Sequence, residues 1–162
     1  MSEPESRRFP ERLALLTYVK LLRAASAARN HAARSLAGTR LTLTQFAVLE
    51  ALYHLGPMSL SDIALKILTT GGNLTMVVRN LQKRSLAKRQ PSPQDRRVQI
   101  VALTPKGKVL MRHVFPQHAA AIAEFLSVLS PEEKVRLGEL CRKLGTQEDK
   151  RGAGQAAIST VL

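Results

Sequence analysis

The segment from Thr69 to Thr104 constrains the fold of this chain more than any other. After two glycines it carries four apolar residues at i, i+3, i+4 and i+7, which predicts a helix with one buried stripe: Leu74, Val77, Val78 and Leu81. A Pro-Ser-Pro-Gln turn at 91–94 then separates residues 87–90 from the β-branched run 98–103. Two short stretches around such a turn predict a β-hairpin. The segment should therefore fold as a helix followed directly by a hairpin.

Positive charge is concentrated in this helix and hairpin. One acid, Asp95, stands among the basic residues Arg79, Lys83, Arg84, Lys88, Arg89, Arg96 and Arg97. A helix with a polar outer face fits the major groove of DNA, and a basic hairpin tip reaches a phosphate or the neighbouring minor groove. The competing interpretation is an ordinary solvated surface. DNA contact is favoured because the charges bracket a hairpin instead of spreading along one helix.

Two capped helices precede this segment. Thr42 and Gln45 form a capping-box pattern before an apolar helix that Gly56-Pro57 ends. Ser59 and Asp62 form the next cap, before a short helix with an apolar stripe at Leu60, Ile63, Ala64 and Ile67. A few residues later comes the helix that begins near Gly72. This short helix and the one from Gly72, joined by a turn and with the second polar on its outer face, follow the helix-turn-helix plan.

Long helical patterns occupy both ends of the chain. The first runs from Glu11 to Leu36, and the second begins at Thr104-Pro105, reaches about Leu129 and should kink at Pro116. A last helix begins at the Ser130-Pro131 cap and ends at Gly145. The expected fold class is mainly α with a small β-hairpin wing. We divide the chain into a flexible arm (1–9), a helical lobe (10–37 and 105–145), a winged helix-turn-helix DNA-binding domain (38–104) and a disordered tail (146–162).

Composition narrows the classes of function. The 162 residues carry a formal net charge of +13, which favours polyanionic partners, nucleic acid before a membrane surface. A single cysteine excludes an internal disulfide and a Cys-based structural zinc site. The chain shows no secretory signal pattern and no apolar run near the ~18 residues that span a bilayer, so we expect a cytoplasmic protein without a membrane partner. No nucleophilic triad, phosphate-binding glycine loop or HExxH pattern appears, so we expect neither an enzyme nor a cofactor.

The order of these elements resembles the MarR family of transcriptional regulators over about residues 11–145. The most specific part is Asp95-Arg96-Arg97, an apolar strand, and then Leu103-Thr104-Pro105-Lys106-Gly107. The resemblance implies a homodimer whose N- and C-terminal helices interlock, so that the helical lobe becomes a dimerisation lobe. It also implies a palindromic operator on double-stranded DNA and often a small phenolic or aromatic-acid effector. The leading hypothesis is therefore a homodimeric repressor that such an effector releases.

The resemblance also assigns roles to residues. Arg97 would be the wing-tip arginine in the minor groove, with Asp95 steering its guanidinium. An alternative is that the two form a structural pair that only stiffens the hairpin. The contacts of the reading helix would lie among Thr70, Gly72, Asn73, Thr75, Met76 and Arg79. Asn73 and Thr75 could read base edges, and the alternative for both is plain helix capping. Lys83, Lys88, Arg89 and Arg96 complete the expected DNA-binding set, mainly as phosphate contacts.

Two positions depart from the family pattern. Arg79 stands where relatives often carry an acid, which adds a candidate phosphate contact. Ser85 replaces the usual glycine after the reading helix, so either it adopts a left-handed backbone at modest cost or the helix ends differently.

Other candidate site residues have plainer alternatives. An effector pocket would use Arg23, His31, Phe46, Tyr53 and His54, which otherwise fill the core and its rim. His113 and His118 stand five residues apart, which is wrong for two ligands on one helix face, so no metal site is expected. Cys141 lies on the apolar stripe of the last helix and is expected to be an inert core thiol.

Two further functions compete with an operator-specific regulator. One is an architectural winged-helix protein that binds nucleic acid without sequence specificity. The other is a winged helix used as a protein-interaction platform, which the basic excess of the reading segment disfavours.

Overall fold

The computed structural model describes residues 5–67, 71–93, 95 and 97–158, and in 5–8, 71 and 146–158 the backbone alone. In chain order the elements are α1 (Glu5–Ser35), α2 (Leu43–Leu55), β1 (Met58–Ser59), α3 (Leu60–Ile67), α4 (Gly71–Lys83), β2 (Ala87–Pro91), β3 (Gln99–Leu103), α5 (Pro105–Phe125) and α6 (Pro131–Ile158). The chain divides into two compact units, residues 1–122 and 123–162. The expected fold class, mainly helical with a small β-wing, is confirmed.

The core of the first unit lies between α2, α3, α4 and the sheet. The apolar stripe predicted for the reading helix is confirmed, because Leu74, Val78 and Leu81 are fully buried and Val77 nearly so. They pack in one cluster whose largest fully buried members also include Phe46, Leu49, Ile63 and Met111. This packing holds α4 by one face and leaves its other face outward.

The predicted helix caps are confirmed. The Thr42 hydroxyl accepts the N–H of Gln45 at 3.2 Å, and the Gln45 side chain accepts the N–H of Thr42. The Ser59 hydroxyl accepts the N–H of Asp62 at 3.1 Å and donates to its carboxylate at 2.7 Å. These bonds satisfy backbone donors that have no partner inside the helix, and so they fix where α2 and α3 begin.

A third strand extends the predicted hairpin. The sheet order is β1-β3-β2, all antiparallel, with Met58 opposite Val101 and Ser59 opposite Ile100. Sequence reasoning missed β1, because a strand of two residues carries no alternation to detect. It ties the chain just before α3 to the hairpin that follows α4.

The ends of the terminal helices differ from the predictions. α1 begins at Glu5, so residues 5–9 of the expected arm are helical, and Pro10 forgoes one backbone bond near the first turn. α6 continues to Ile158, so residues 146–158, expected as a disordered tail, are helical as well. A glycine in a helix costs only about 1 kcal/mol, and the Gln, Glu, Lys and Arg after Gly145 favour helix. Residues 1–4 and 159–162 lie outside the described part, and the division into functional domains stays a prediction.

The second unit contains the end of α5 and α6. Ser130 caps α6, since its hydroxyl accepts the N–H of Glu133 at 3.3 Å, and its own N–H bonds the Glu133 carboxylate at 2.8 Å. Its hydroxyl also lowers the pKa of the exposed Glu132 carboxyl. The apolar stripe of α6 is exposed in the single chain: Leu137, Leu140 and Leu144. Cys141 on this stripe is exposed too, so the expected core thiol is wrong for the isolated chain.

Candidate nucleic-acid interface

The outer face of α4 is the centre of the candidate interface. Gly72, Asn73, Met76, Arg79 and Lys83 are exposed, and Thr75 is half-buried. Met76 is 52% exposed although it is apolar, because it lies opposite the buried stripe. Thr70, the remaining predicted contact on this helix, falls outside the described residues. The helix therefore offers one uninterrupted face of mixed polar, cationic and apolar groups, which suits the edges of bases in a major groove.

The end of α4 is closed by a Schellman motif. Ser85 has φ 56°, its N–H bonds the carbonyl of Gln82 at 2.8 Å, and the N–H of Leu86 bonds that of Leu81 at 2.9 Å. The serine thus takes the left-handed backbone that we considered for it. A glycine would adopt that backbone without steric cost.

Arg84 has a structural role that sequence reasoning missed. Its guanidinium donates to the carbonyl of Arg40 at 2.7 Å and to that of Thr39 at 3.2 Å. Arg40 is itself left-handed, with φ 56°. Arg84 therefore fastens the α1–α2 loop to the end of the reading helix, and its charge is less available to DNA than its place in the basic cluster indicated.

The wing, residues 87–103, is held in shape by Asp95. Its carboxylate accepts the backbone N–H of Arg97 at 2.9 Å, and its carbonyl accepts the N–H of Val98 at 2.9 Å. Within the described residues the Arg97 side chain is exposed and makes no ion pair with Asp95. The carboxylate therefore orders the backbone that carries Arg97, in place of the guanidinium contact that the family resemblance implied. Arg96 lies outside the described residues.

The two basic residues of β2 face opposite ways. Lys88 is exposed, whereas Arg89 shares the inward face with the buried Ala87. The Nε and Nη2 atoms of Arg89 are buried without a hydrogen-bond partner. In this conformation the Lys88 side chain is open to solvent, whereas two of the three guanidinium nitrogens of Arg89 are not. The strand period of two would have predicted this difference once the strand had been located.

The Leu-Thr-Pro-Lys-Gly motif joins the wing to the end of α4. The Thr104 hydroxyl donates to the carbonyl of Ser85 at 2.6 Å and accepts the N–H of Gly107 at 3.0 Å. Gly107 is buried, and a β carbon there would overlap the carbonyl oxygen of Leu86. A larger residue at 107 would push α5 away from the reading helix.

Of the predicted effector residues, Phe46 alone lines the cleft between α1, α2 and α5. This cleft has a volume of about 390 Å³, and its other lining residues are Arg29, Leu43, Thr44, Ala47, Glu50, Ile67 and His118. Tyr53 and His54 instead form an aromatic cluster with Phe115, in which the His54 and Phe115 ring centroids are 4.6 Å apart. Arg23 is exposed on α1, and His31 lies 3.3 Å from the Arg34 guanidinium. The structure therefore does not bring the five residues together.

His118 is the residue of this cleft that sequence reasoning missed as an effector candidate. Its ring lies 4.3 Å from the Phe46 ring, and its Nδ1 is 2.7 Å from the Ser35 hydroxyl. That hydroxyl donates its one proton to the carbonyl of Ala32 at 2.8 Å, so we assign the Nδ1–H of His118 as the donor to Ser35. Burial lowers the pKa of His118, and Glu50 partly opposes that shift. No signal in the sequence placed this histidine beside Phe46, because the contact joins three distant helices.

No metal centre accompanies these histidines in the part of the chain that the structure describes, which holds no cluster of three His, Cys, Asp or Glu side chains. Among the described residues, none of the helices is long and apolar enough to cross a lipid bilayer.

Comparison with known proteins gives consistent results. The family model described as "MarR family" matches residues 41–98. The HTH-type transcriptional regulator MhqR of Bacillus subtilis is 40% identical over 131 residues, which cover 81% of this chain and 90% of MhqR. These residues include the helix-turn-helix and the wing.

Solved structures agree on the fold. Bordetella bronchiseptica BpsR, whose DNA binding is regulated by 6-hydroxynicotinic acid, has a TM-score of 0.73 at 28% identity, covering 80% of this chain and 98% of BpsR. Streptomyces coelicolor Sco3205, a MarR family regulator solved with DNA, has a TM-score of 0.76 at 24% identity, covering 81% of this chain and 88% of Sco3205. The second likeness is one of fold alone.

Proposed function

This chain belongs to the MarR family of transcriptional regulators, and we propose that it is a homodimeric repressor of a palindromic operator that a small aromatic effector releases. The observation that carries the proposal is the division of α4 into a fully buried stripe and an exposed face beside an exposed wing arginine. A winged helix built in this way presents one helix and one hairpin to the same duplex.

The proposed reading mode assigns roles to the candidate DNA-binding residues. Asn73, Thr75 and Met76 would contact base edges in the major groove, with Thr70 and Gly72 beside them, and Arg79 would add a phosphate contact. Lys83, Lys88 and Arg96 would bind phosphates, and Arg97 would enter the minor groove from the wing that Asp95 orders. Phosphate contacts supply affinity without specificity, so specificity would come from the first group and from Arg97.

Dimerisation is proposed from the apolar surface that the single chain leaves uncovered. In the first unit, α1 exposes Leu15, Tyr18, Val19 and Leu22 on one face, each by 42% or more. In the second unit, α6 exposes its own stripe of leucines at 137, 140 and 144. Faces of this kind bury their apolar area against a second copy, and a two-fold symmetric dimer then presents two reading helices to a palindromic site.

The effector is proposed to occupy the cleft beside Phe46 and His118. The cleft combines two aromatic rings with the Arg29 cation, which suits a small aromatic acid or phenol. BpsR, a protein of the same fold, responds to an aromatic acid. An effector bound between α1 and α2 would act by shifting α1, a helix of the proposed dimerisation lobe, relative to the winged helix-turn-helix.

The proposal is tested by selecting fragments of the source genome that the full chain binds, then measuring affinity by fluorescence anisotropy. We expect a palindrome to emerge and to retain roughly a 10³-fold advantage over a scrambled duplex as salt rises. Equal weakening on both duplexes would instead identify an architectural protein without sequence specificity. Sedimentation at micromolar concentration should give a dimer, and a monomer would contradict the two-reader arrangement.

A further inference from the structure

A second cleft lies in the first unit at the end of α4, away from the cleft beside Phe46. Its volume is about 480 Å³. Three elements line it: the α1–α2 loop, the residues that follow α4, and the first half of α5. The side chains that matter here are Arg40, Arg84, Leu86, Lys106, Val109 and Leu110.

The polar part of this lining consists of three cations and the exposed His113. Arg40, Arg84 and Lys106 all face the cleft, and none of the described residues that line it is acidic. In the described part of the chain, no carboxylate forms an ion pair with any of the three. Like charges gathered around a cavity create a positive potential inside it, which attracts a small anion.

The rest of the lining is apolar. Leu86 is buried, Leu110 packs partly against the core, and Val109 is 50% exposed at the edge. A fully hydrated inorganic ion gains nothing from such a surface. A molecule with an anionic head and a small apolar body gains from both parts of the lining.

Backbone strain is concentrated at the same place. Among the described residues, the non-glycine residues with positive φ are Arg40 and Ser85. Arg40 lines the cleft, and Ser85 stands between two residues that do. Surrounding structure holds both residues in place: the Arg84 guanidinium bonds the Arg40 carbonyl, and the cap of α4 bonds Ser85.

We propose that this cleft binds a small amphipathic organic anion. Its carboxylate or sulfonate head lies between Arg40 and Lys106, and its body packs on Leu86, Val109 and Leu110. The site is separate from the effector cleft, and the inference does not depend on the proposed operator binding.

The test is an NMR titration of the methyl-labelled full chain with naphthalene-2-carboxylate. We expect saturable shifts of the Val109 and Leu110 methyl groups and about tenfold weaker binding of the uncharged naphthalene-2-carboxamide, since a charge-assisted contact is lost. Shifts confined to residues beside Phe46 and His118 would overturn the proposal. The absence of binding at millimolar concentration, or equal affinity for the amide, would overturn it too.

Variants separate this cleft from the positive charge of the whole chain. Lys106→Gln should weaken carboxylate binding about tenfold, and Val109→Glu should abolish it by adding a like charge at the edge. Lys108→Gln is the matched control, because it removes an equal charge from α5 at a residue that does not line this cleft. An equal loss of carboxylate affinity in Lys108→Gln would show that only the overall positive charge matters, and it would contradict the proposed site. Unchanged thermal midpoints check that each variant folds.

Discussion

Gly107 lies against the carbonyl oxygen of Leu86, so close that a β carbon at residue 107 has no room. The contact joins the first turn of α5 to the residue that completes the cap of α4. It gives a steric reason for glycine in the Leu-Thr-Pro-Lys-Gly motif.

Gly107→Ala should therefore lower the free energy of unfolding by about 2–3 kcal/mol, because backbone must move to admit the methyl group. Gly138→Ala is the control: no atom lies within 4 Å of the added carbon, and the change should raise the stability by about 0.5–1 kcal/mol. Urea unfolding measures both. Equal effects at the two positions would mean that helix propensity, not the Leu86 contact, governs residue 107.

Ser85→Gly should stabilise the fold. The serine holds φ 56°, which glycine adopts without a β-carbon clash, and we expect a gain of about 0.5–1 kcal/mol after the larger unfolded-state entropy of glycine is subtracted. Gln82→Gly in α4 should lower the free energy of unfolding by about 1 kcal/mol, since residue 82 is helical. A loss at both positions in thermal unfolding would contradict the Schellman cap.

Arg89→Met should leave stability unchanged or raise it by up to about 2 kcal/mol, because it removes buried guanidinium nitrogens that have no partner. Lys88→Met, on the exposed face, should change stability by less than about 0.5 kcal/mol.

In DNA binding, Lys88→Met should have the larger effect of these two variants. Lys88→Met is expected to reduce the slope of log affinity against log salt by about 0.9, which corresponds to one lost phosphate contact, whereas Arg89→Met should leave the slope unchanged. A reduced slope for Arg89→Met would show that this side chain turns outward on the duplex.

Arg97→Ala should lower operator affinity at least about tenfold with little change in the thermal midpoint, since the side chain is exposed and Asp95 bonds only its backbone. Arg12→Ala, an exposed arginine of α1, controls for the loss of one charge. Anisotropy on the selected operator gives the affinities. Wild-type affinity in Arg97→Ala would show that Arg97 does not contact the operator.

His118 should make stability depend on pH. Burial lowers its pKa below 6.5, so the unfolded chain takes up the proton at a higher pH than the folded chain does. The contribution of the neutral His118 to the free energy of unfolding is present above about pH 6.5 and is lost as the pH falls toward the lowered pKa. Chemical unfolding at pH 7.5 and 5.5 should show that the free energy of unfolding falls less in His118→Gln than in the wild type. An equal loss of stability in His118→Gln and in the wild type would contradict this origin of the pH dependence.

Local patterns in the sequence predicted the caps, the stripe of α4 and the hairpin, because a hydroxyl at Thr42 or apolar spacing from Leu74 acts within one turn. The features that these patterns did not predict depend on packing between residues that are far apart in the sequence. His118 meets Ser35 and Phe46 only after three helices assemble, and Arg84 finds the carbonyl of Arg40 across the fold. The effector residues were misplaced for the same reason, since Tyr53 and His54 turn toward Phe115.

The pairing of Met58 and Ser59 with β3 has a mechanical consequence. It closes the helix-turn-helix into a loop of chain whose two ends are clamped to one central strand. The hairpin and the start of α3 are therefore joined through one sheet, and we expect them to move as one unit when a duplex is bound.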